Sequence, residues 1–210
     1  MKRNVSFTDI TTLVIATHNR KKAGEMVTIL GRRFPDLILK TLADYENAPE
    51  PEETGADYAS NAAIKSESAA AFTNEWCVAD DAGLEIDFLD GAPGLYSKRF
   101  GGEDLPFPEK IAMILDLMKE APTERRGARF RCCVSLTPPA KEGITKVFTA
   151  TCEGRIAAEP SGAGGFGYDP IFYLPERNCT MADLTPDQKH QISHRGKVLE
   201  QLALYVESQT

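Results

Sequence analysis

Residues 130–152 read FRCCVSLTPPAKEGITKVFTATC, and the way they fold decides what kind of sheet this chain builds. Phe130, Cys132, Val134 and Leu136 alternate with polar or small residues, the period-two pattern of a half-buried strand. Residues 138–143, with two prolines and a glycine, make a turn, and residues 145–152 return as the partner strand. A hairpin of this kind is antiparallel. Helices and strands are interspersed on either side of it, so an α/β fold with a mixed sheet is expected rather than a purely parallel one.

Working outward, residues 1–10 read as a loose leader and Leu13-Val14-Ile15-Ala16 as a buried strand. A polar loop at 17–21 leads into a helix at 22–33, with Met26, Ile29 and Leu30 at helical spacing. Residues 37–42 are a second strand, and residues 43–56, with two prolines and four glutamates, an acidic loop. The Ala-rich residues 57–72 predict a helix on which Asp57, Asn61 and Lys65 share one face. Residues 77–79 are a third strand that ends at the Asp80-Asp81 pair. A turn-rich loop at 90–104 precedes a helix with Ile111, Ile114, Leu115 and Met118 on one side. The last helix starts at Thr185, an N-cap followed by Pro186 and the capping-box partner Gln188. Its buried stripe is Leu199, Leu202, Ala203 and Val206. Residues 1–210 thus read as a single domain, or two closely packed lobes, without repeat or linker.

Twenty-four Lys and Arg against 31 Asp and Glu give a net charge of −7, which argues against a nonspecific nucleic-acid partner. Five cysteines, two of them adjacent and none in C-x-x-C spacing, give neither a disulfide framework nor a zinc site, so a cytosolic protein is expected. The first apolar run is too short for a signal-peptide core, and no run approaches membrane-spanning length.

Five segments carry chemistry. In Val78-Ala79-Asp80-Asp81-Ala82-Gly83-Leu84 two carboxylates stand at a strand end, which suits a hard divalent cation such as Mg²⁺. Alone the pair reads better as a solvated turn. A Glu52-Glu53 pair lies in the acidic loop. Thr17-His18-Asn19-Arg20-Lys21-Lys22 lies between strand and helix, where free N–H groups and cations suit a phosphate. It has no Gly-Lys-Ser/Thr ending, so it is not a P-loop, and a capped helix start with exposed lysines is the other reading. Gly162-Ala163-Gly164-Gly165-Phe166-Gly167 fits the dinucleotide fingerprint in form only, because a proline and β-formers follow it. It reads better as a loop presenting Phe166 and Tyr168 for base stacking, with Asp169 at the base edge, or as a strand-entry loop with core aromatics. His190 and His194, four apart, share a helix face without an H-E-x-x-H motif, while His194-Arg195 offers donors to a carbonyl oxygen.

With these segments the chain resembles the Ham1 family of inosine and xanthosine triphosphate pyrophosphatases. The resemblance covers nearly everything after residue 11. Its motifs in order are Ala-Thr-His-Asn-Arg-Lys-Lys (16–22), Glu-Glu-Thr-Gly (52–55), Asn-Ala-Ala-Ile-Lys (61–65), Ala-Asp-Asp-Ala-Gly-Leu (79–84), Gly-Ala-Pro-Gly-Leu-Tyr-Ser (91–97), Gly-Gly-Phe-Gly-Tyr-Asp-Pro-Ile-Phe (164–172) and Ile-Ser-His-Arg-Gly (192–196).

The resemblance implies an elongated mixed sheet flanked by helices in two lobes, with an active-site cleft between them, usually in a homodimer. It implies Mg²⁺-dependent hydrolysis of ITP, dITP and XTP to the monophosphate and pyrophosphate. Thr17, His18, Asn19, Arg20, Lys21 and Lys22 would grip the triphosphate. Glu53 and Asp81 would hold Mg²⁺, with Asp81 also taking a proton from the attacking water and Asp80, Glu52 and Lys65 in support. Phe166, Gly167, Tyr168 and Asp169 would enclose the purine, and Lys189, His194 and Arg195 would complete recognition. A 6-oxo group accepts where the adenine 6-amino group donates, so donors at that position would reject ATP. Two positions depart from the common pattern: Ala82 replaces the usual Ser after the Asp pair, and His18 replaces a frequent Gly. Two other readings stay open, a related pyrophosphatase for other modified nucleotides and a non-catalytic nucleotide sensor.

Overall fold

The structure is a computed structural model that describes residues 10–139 and 143–209. Nearly all of the expected leader, and part of the turn expected at 138–143, lie outside the described residues. Its elements are β1 (Thr12–Ile15), α1 (Arg20–Arg33), β2 (Ile38–Thr41), α2 (Tyr58–Thr73), β3 (Trp76–Ile86), α3 (Phe107–Leu117), β4 (Gly127–Thr137), β5 (Lys146–Ile156), β6 (Phe172–Leu174), β7 (Cys179–Thr180), α4 (Pro186–Ile192) and α5 (His194–Glu207). The strands form one seven-stranded sheet in the order β2-β1-β3-β4-β5-β6-β7. β1 is parallel to β2 and β3, whereas β5, β6 and β7 pair antiparallel. The sheet is mixed, and β4 and β5 are neighbours, as the sequence around residue 140 leads one to expect.

The chain gathers into two compact units. The first takes the described residues up to Asp81, those of Cys132–Ala150, and those from Arg195 onward; the second takes Ala82–Arg131 and Thr151–His194. Each has its own apolar core. In the first, Val14, Ala16, Leu42, Ala69, Ala70, Cys77 and Ala79 cluster. In the second, Leu84, Ile86, Ile111, Ile114, Met118, Phe130, Ile156, Ile171 and Phe172 do so with others. No helix among the described residues is long and apolar enough to cross a membrane.

The parallel register aligns Leu13 with Trp76 and Ile15 with Val78, and the Ala16 N–H donates to Val78 O at 2.7 Å. This brings the loop after β1 beside Ala79, Asp80 and Asp81. The ends of parallel strands are where open α/β sheets bind their ligands.

Three local expectations need correction. β3 does not stop at Ala79 but runs on through Asp80, Asp81, Ala82 and Gly83 to Ile86. Burial and pairing override the weak strand preference of Asp, Ala and Gly. The C-terminal helix is two helices, because Ser193 adopts extended φ −66°, ψ 155°, so His190 and His194 share no helix face. Asp57 lies outside α2 as its N-cap, accepting from the Ser60 N–H, rather than on a face with Asn61 and Lys65.

Candidate active site

The first unit holds a carboxylate centre built from β3, α1, α2 and the start of α5. Successive strand residues point to opposite faces, and the two neighbouring aspartates accordingly meet different partners. Asp80 Oδ2 accepts from Arg195 Nη2 at 2.8 Å and Nε at 3.2 Å, and lies 3.2 Å from Lys22 Nζ. Asp81 Oδ1 is 3.2 Å from Lys65 Nζ, and its Oδ2 accepts from Asn61 Nδ2 at 3.3 Å. Lys65 Nζ also reaches Glu53 Oε1 at 2.7 Å, so one ammonium joins two carboxylates from separate segments. Arg195 Nη1 donates to Glu25 Oε2 at 2.7 Å.

Local geometry explains how Glu53 arrives there. The Gly55 N–H donates to Asn61 Oδ1 at 2.8 Å, and a Cβ on Gly55 would stand 2.6 Å from that oxygen. Only glycine lets the acidic loop close this tightly on the first turn of α2. Glu52, one residue earlier, is exposed.

The two aspartates titrate in opposite directions. Burial opposes the charge on Asp80, but Lys22, Arg195 and Lys65 outweigh it and hold the carboxyl well below the usual carboxylate range. Burial raises Asp81 against the pull of Lys65 and Lys22. Lys65 is itself raised, since Asp81, Asp80 and Glu53 outweigh its burial. Neighbouring carboxyls driven apart in this way can divide labour between fixed charge and proton acceptor.

Among the described residues no three His, Cys, Asp or Glu side chains group to hold a metal. Mg²⁺ does not need three, because it often takes one or two carboxylates and completes its shell with water and substrate phosphate. Glu53 and Asp81, already bridged by a cation, fit that requirement. The buried Asp80 Oδ1 has no hydrogen-bond partner among the described residues.

At the start of α1 the Asn19 side chain accepts from the Lys21 and Lys22 N–H groups at 3.0 and 3.2 Å, and Thr17 Oγ1 accepts from the Asn19 N–H. These backbone donors are therefore spent on capping. Arg20 and Lys21 are exposed and form no ion pair among the described residues. His18 Nε2 lies 3.2 Å from Pro49 O, which ties this loop to the acidic one.

The second unit holds an aromatic and charged cluster. Lys189 Nζ donates to Asp169 Oδ2 at 2.7 Å, and the same oxygen accepts from the Phe166 N–H at 2.7 Å. The Lys189 ammonium also lies 4.5 Å from the centre of the Phe166 ring. Gly165 has φ +66°, and a Cβ there would fall 2.1 Å from Asp169 Oδ2, so this closure requires glycine at 165. Tyr168 is buried: its ring packs edge-on against Phe107 and its hydroxyl donates to Ser97 O at 2.8 Å. Phe166 is half-buried. His194 is buried with its ring stacked on Phe130, centroids 4.8 Å apart.

A model of the Ham1 family matches residues 13–205. The chain belongs to the Ham1 family. It is 46% identical over 190 residues to the dITP/XTP pyrophosphatase of Exiguobacterium sibiricum, covering 90% of this chain and 94% of that protein. To the dITP/XTP pyrophosphatase of Vibrio cholerae it is 42% identical over 198 residues, 94% of this chain and 97% of that one. Among solved structures it is similar to a HAM1 protein from Coxiella burnetii, with a TM-score of 0.85 at 37% identity, covering 95% of this chain and all of that one. The Ham1 protein of Staphylococcus aureus gives 0.84 at 38% identity, with the same coverage.

In this Ham1 family member the expected residues fall into two groups. Glu53, Lys65, Asp80, Asp81, Lys22 and Arg195 come together in the first unit, and Phe166, Asp169 and Lys189 in the second. Arg195 commits its guanidinium to Asp80 and Glu25 and thereby serves the carboxylate centre. Ala82 is half-buried in β3, and a Ser there would add one hydroxyl next to Asp81. Glu25 is a site residue that sequence reasoning missed, since its partner lies 170 residues away. Asn61 left a signal, its shared face with Lys65.

Proposed function

We propose that this chain hydrolyses ITP, dITP and XTP to the monophosphate and pyrophosphate with Mg²⁺ as cofactor, acting in the cytosol as a homodimer. The coarser statement comes with the family and its named relatives: the chain is a nucleoside triphosphate pyrophosphatase, a hydrolase of phosphoric anhydride bonds acting on non-standard purine nucleotides. The observation that carries the finer reading is the single ammonium of Lys65 held between Glu53 and Asp81. Two carboxylates that share a cation, in the same unit as exposed Arg20 and Lys21, suit a metal-bound polyphosphate.

Glu53 and Asp81 would hold Mg²⁺, which when bound neutralises phosphate charge and polarises the phosphoryl group. Arg20 and Lys21 would meet the remaining phosphate oxygens. Asp81 would take the proton of the attacking water, with Asn61 orienting its second oxygen. Asp80 stays ionised, clamped by Arg195 and Lys22. Phe166 would stack on the purine, Lys189 and Asp169 would fix its edge, and His194 would supply a donor to the 6-oxo group.

Product analysis tests this reading. With dITP and Mg²⁺ the expected products are dIMP and pyrophosphate, with activity lost on chelation and restored by Mg²⁺. Asp81→Asn is expected to keep the circular dichroism spectrum and lose at least about a hundredfold in turnover, within the range for removing a general base. Release of orthophosphate, or near-wild-type turnover in that variant, contradicts the reading.

A further inference from the structure

Lys110, in the first turn of α3, is 1% exposed and has no part in the chemistry above. No carboxylate pairs with it among the described residues. Its Nζ donates to the backbone carbonyls of Lys98 and Gly102, the latter at 2.9 Å, and lies 5.6 Å from the centre of the Phe107 ring. A buried ammonium is costly unless its donors are satisfied, and a cation near a helix N-terminus also opposes the helix dipole. An apolar residue would fill this place at lower cost, so the charge calls for a reason.

The partners supply one. Gly101 and Gly102 both have positive φ, and the loop they end turns its carbonyls toward Lys110. One residue before Lys98, Ser97 O accepts the Tyr168 hydroxyl at 2.8 Å, and Ser97 Oγ accepts from the Leu84 N–H. Phe107, under the ammonium, packs edge-on against Tyr168 with centroids 5.2 Å apart. A Cβ on Gly167 would stand 3.6 Å from the Phe107 ring. Ammonium, Phe107, Tyr168 and the carbonyls of Ser97, Lys98 and Gly102 thus form one chain of contacts, with Tyr168 next to Asp169 in sequence.

We propose that Lys110 is a positioning residue for purine recognition: its buried ammonium fixes the Lys98 and Gly102 carbonyls of the loop whose Ser97 carbonyl anchors Tyr168, and so holds residues 166–169 in the shape that receives the base. This rests on the assignment of residues 166–169 to the purine. It goes beyond it by naming a residue that touches no substrate yet sets selectivity.

The test compares wild type with Lys110→Met, Lys110→Arg and Phe107→Leu. It measures kcat and KM for dITP, inhibition by inorganic tripolyphosphate, which has no base, and amide hydrogen exchange. Lys110→Met is expected to raise the KM for dITP about tenfold, the scale of releasing a charge-assisted hydrogen bond. Its kcat and its inhibition by tripolyphosphate should stay close to wild type, with faster exchange at both 97–102 and 166–169. Lys110→Arg, which keeps the donors, should recover part of the loss. Phe107→Leu should shift KM in the same direction, and it decides the matter if Lys110→Met does not fold. A parallel loss of tripolyphosphate binding, or faster exchange confined to 97–102, overturns the proposal. If wild type does not hydrolyse dITP, the purine assignment fails on that ground, and the exchange data still show whether Lys110 governs residues 166–169.

Discussion

Cys77 and Asp80 lie three residues apart in β3, both buried, and their acidities shift in opposite directions because of what stands beside each. Asp80 is surrounded by Lys22, Lys65 and Arg195, so its charge survives complete burial. Removing one member of such a buried pair typically costs about 3–5 kcal/mol, since the other charge is left stranded. Cys77 has no cation among its influences, and burial pushes its thiol up from 9.0 to about 11, against a smaller opposing effect from the Thr73 hydroxyl. A raised folded-state pKa favours the neutral thiol in the native protein. The stability it confers is therefore fully present below about pH 9 and lost as pH climbs toward 11. Urea unfolding of wild type and Cys77→Ala from pH 7 to 10.5 checks this. The wild-type advantage should shrink by no more than about 2–3 kcal/mol, the equivalent of two pKa units. A difference independent of pH would contradict it.

At the scale of elements, α2 carries both Asn61 and Lys65 and is docked by hydroxyls as well as by alanines. Ser135 Oγ in β4 donates to Ala62 O at 2.7 Å and lies 2.7 Å from Ser66 Oγ, which in turn lies 2.7 Å from Thr137 Oγ1. Ser135→Ala should lower stability by about 1–3 kcal/mol, as expected when buried groups lose a partner. Turnover should change far less, because Lys65 lies on a different flank of the helix. Chemical denaturation and a kcat measurement on one preparation check both; a turnover loss matching Asp81→Asn would show that α2 docking controls the centre. Helices were the most legible elements. The Ala-rich composition marks α2, Thr185-Pro186 marks α4, and apolar spacing marks α1 and α3. The continuation of β3 past Asp80 was not legible, since Asp-Asp-Ala-Gly has turn chemistry and only burial on both faces makes it strand. The break at Ser193 was equally hidden, for no Pro or Gly announces it. In the site, Glu53, Lys65 and Asp81 could be picked out as segments. The ammonium that joins them, and the pairing of Arg195 with Glu25, depend on contacts between residues far apart in sequence.

Across the whole molecule, the division into two units left no trace in composition. β3, β4 and β5 are each 11 residues long and pass from one unit to the other without a linker, so no Gly- or Ser-rich boundary marks the change. A net charge of −7 also hides the cations that matter, because Lys22, Lys65, Lys189 and Arg195 are each held by carboxylates within one unit. An acidic chain can handle a polyanion when a few cations and a metal are placed together, and that is the account given for this member of the Ham1 family. The most direct measurement is kcat/KM with Mg²⁺ for ITP, dITP and XTP against ATP, GTP and dTTP, with pyrophosphate assayed as the product. A preference of at least about a hundredfold for the inosine and xanthosine nucleotides over ATP is predicted, the discrimination of a site that matches donors to a 6-oxo group. Equal use of ATP would contradict the assignment of Asp169, Lys189 and His194 to base recognition, and with it the account's central claim.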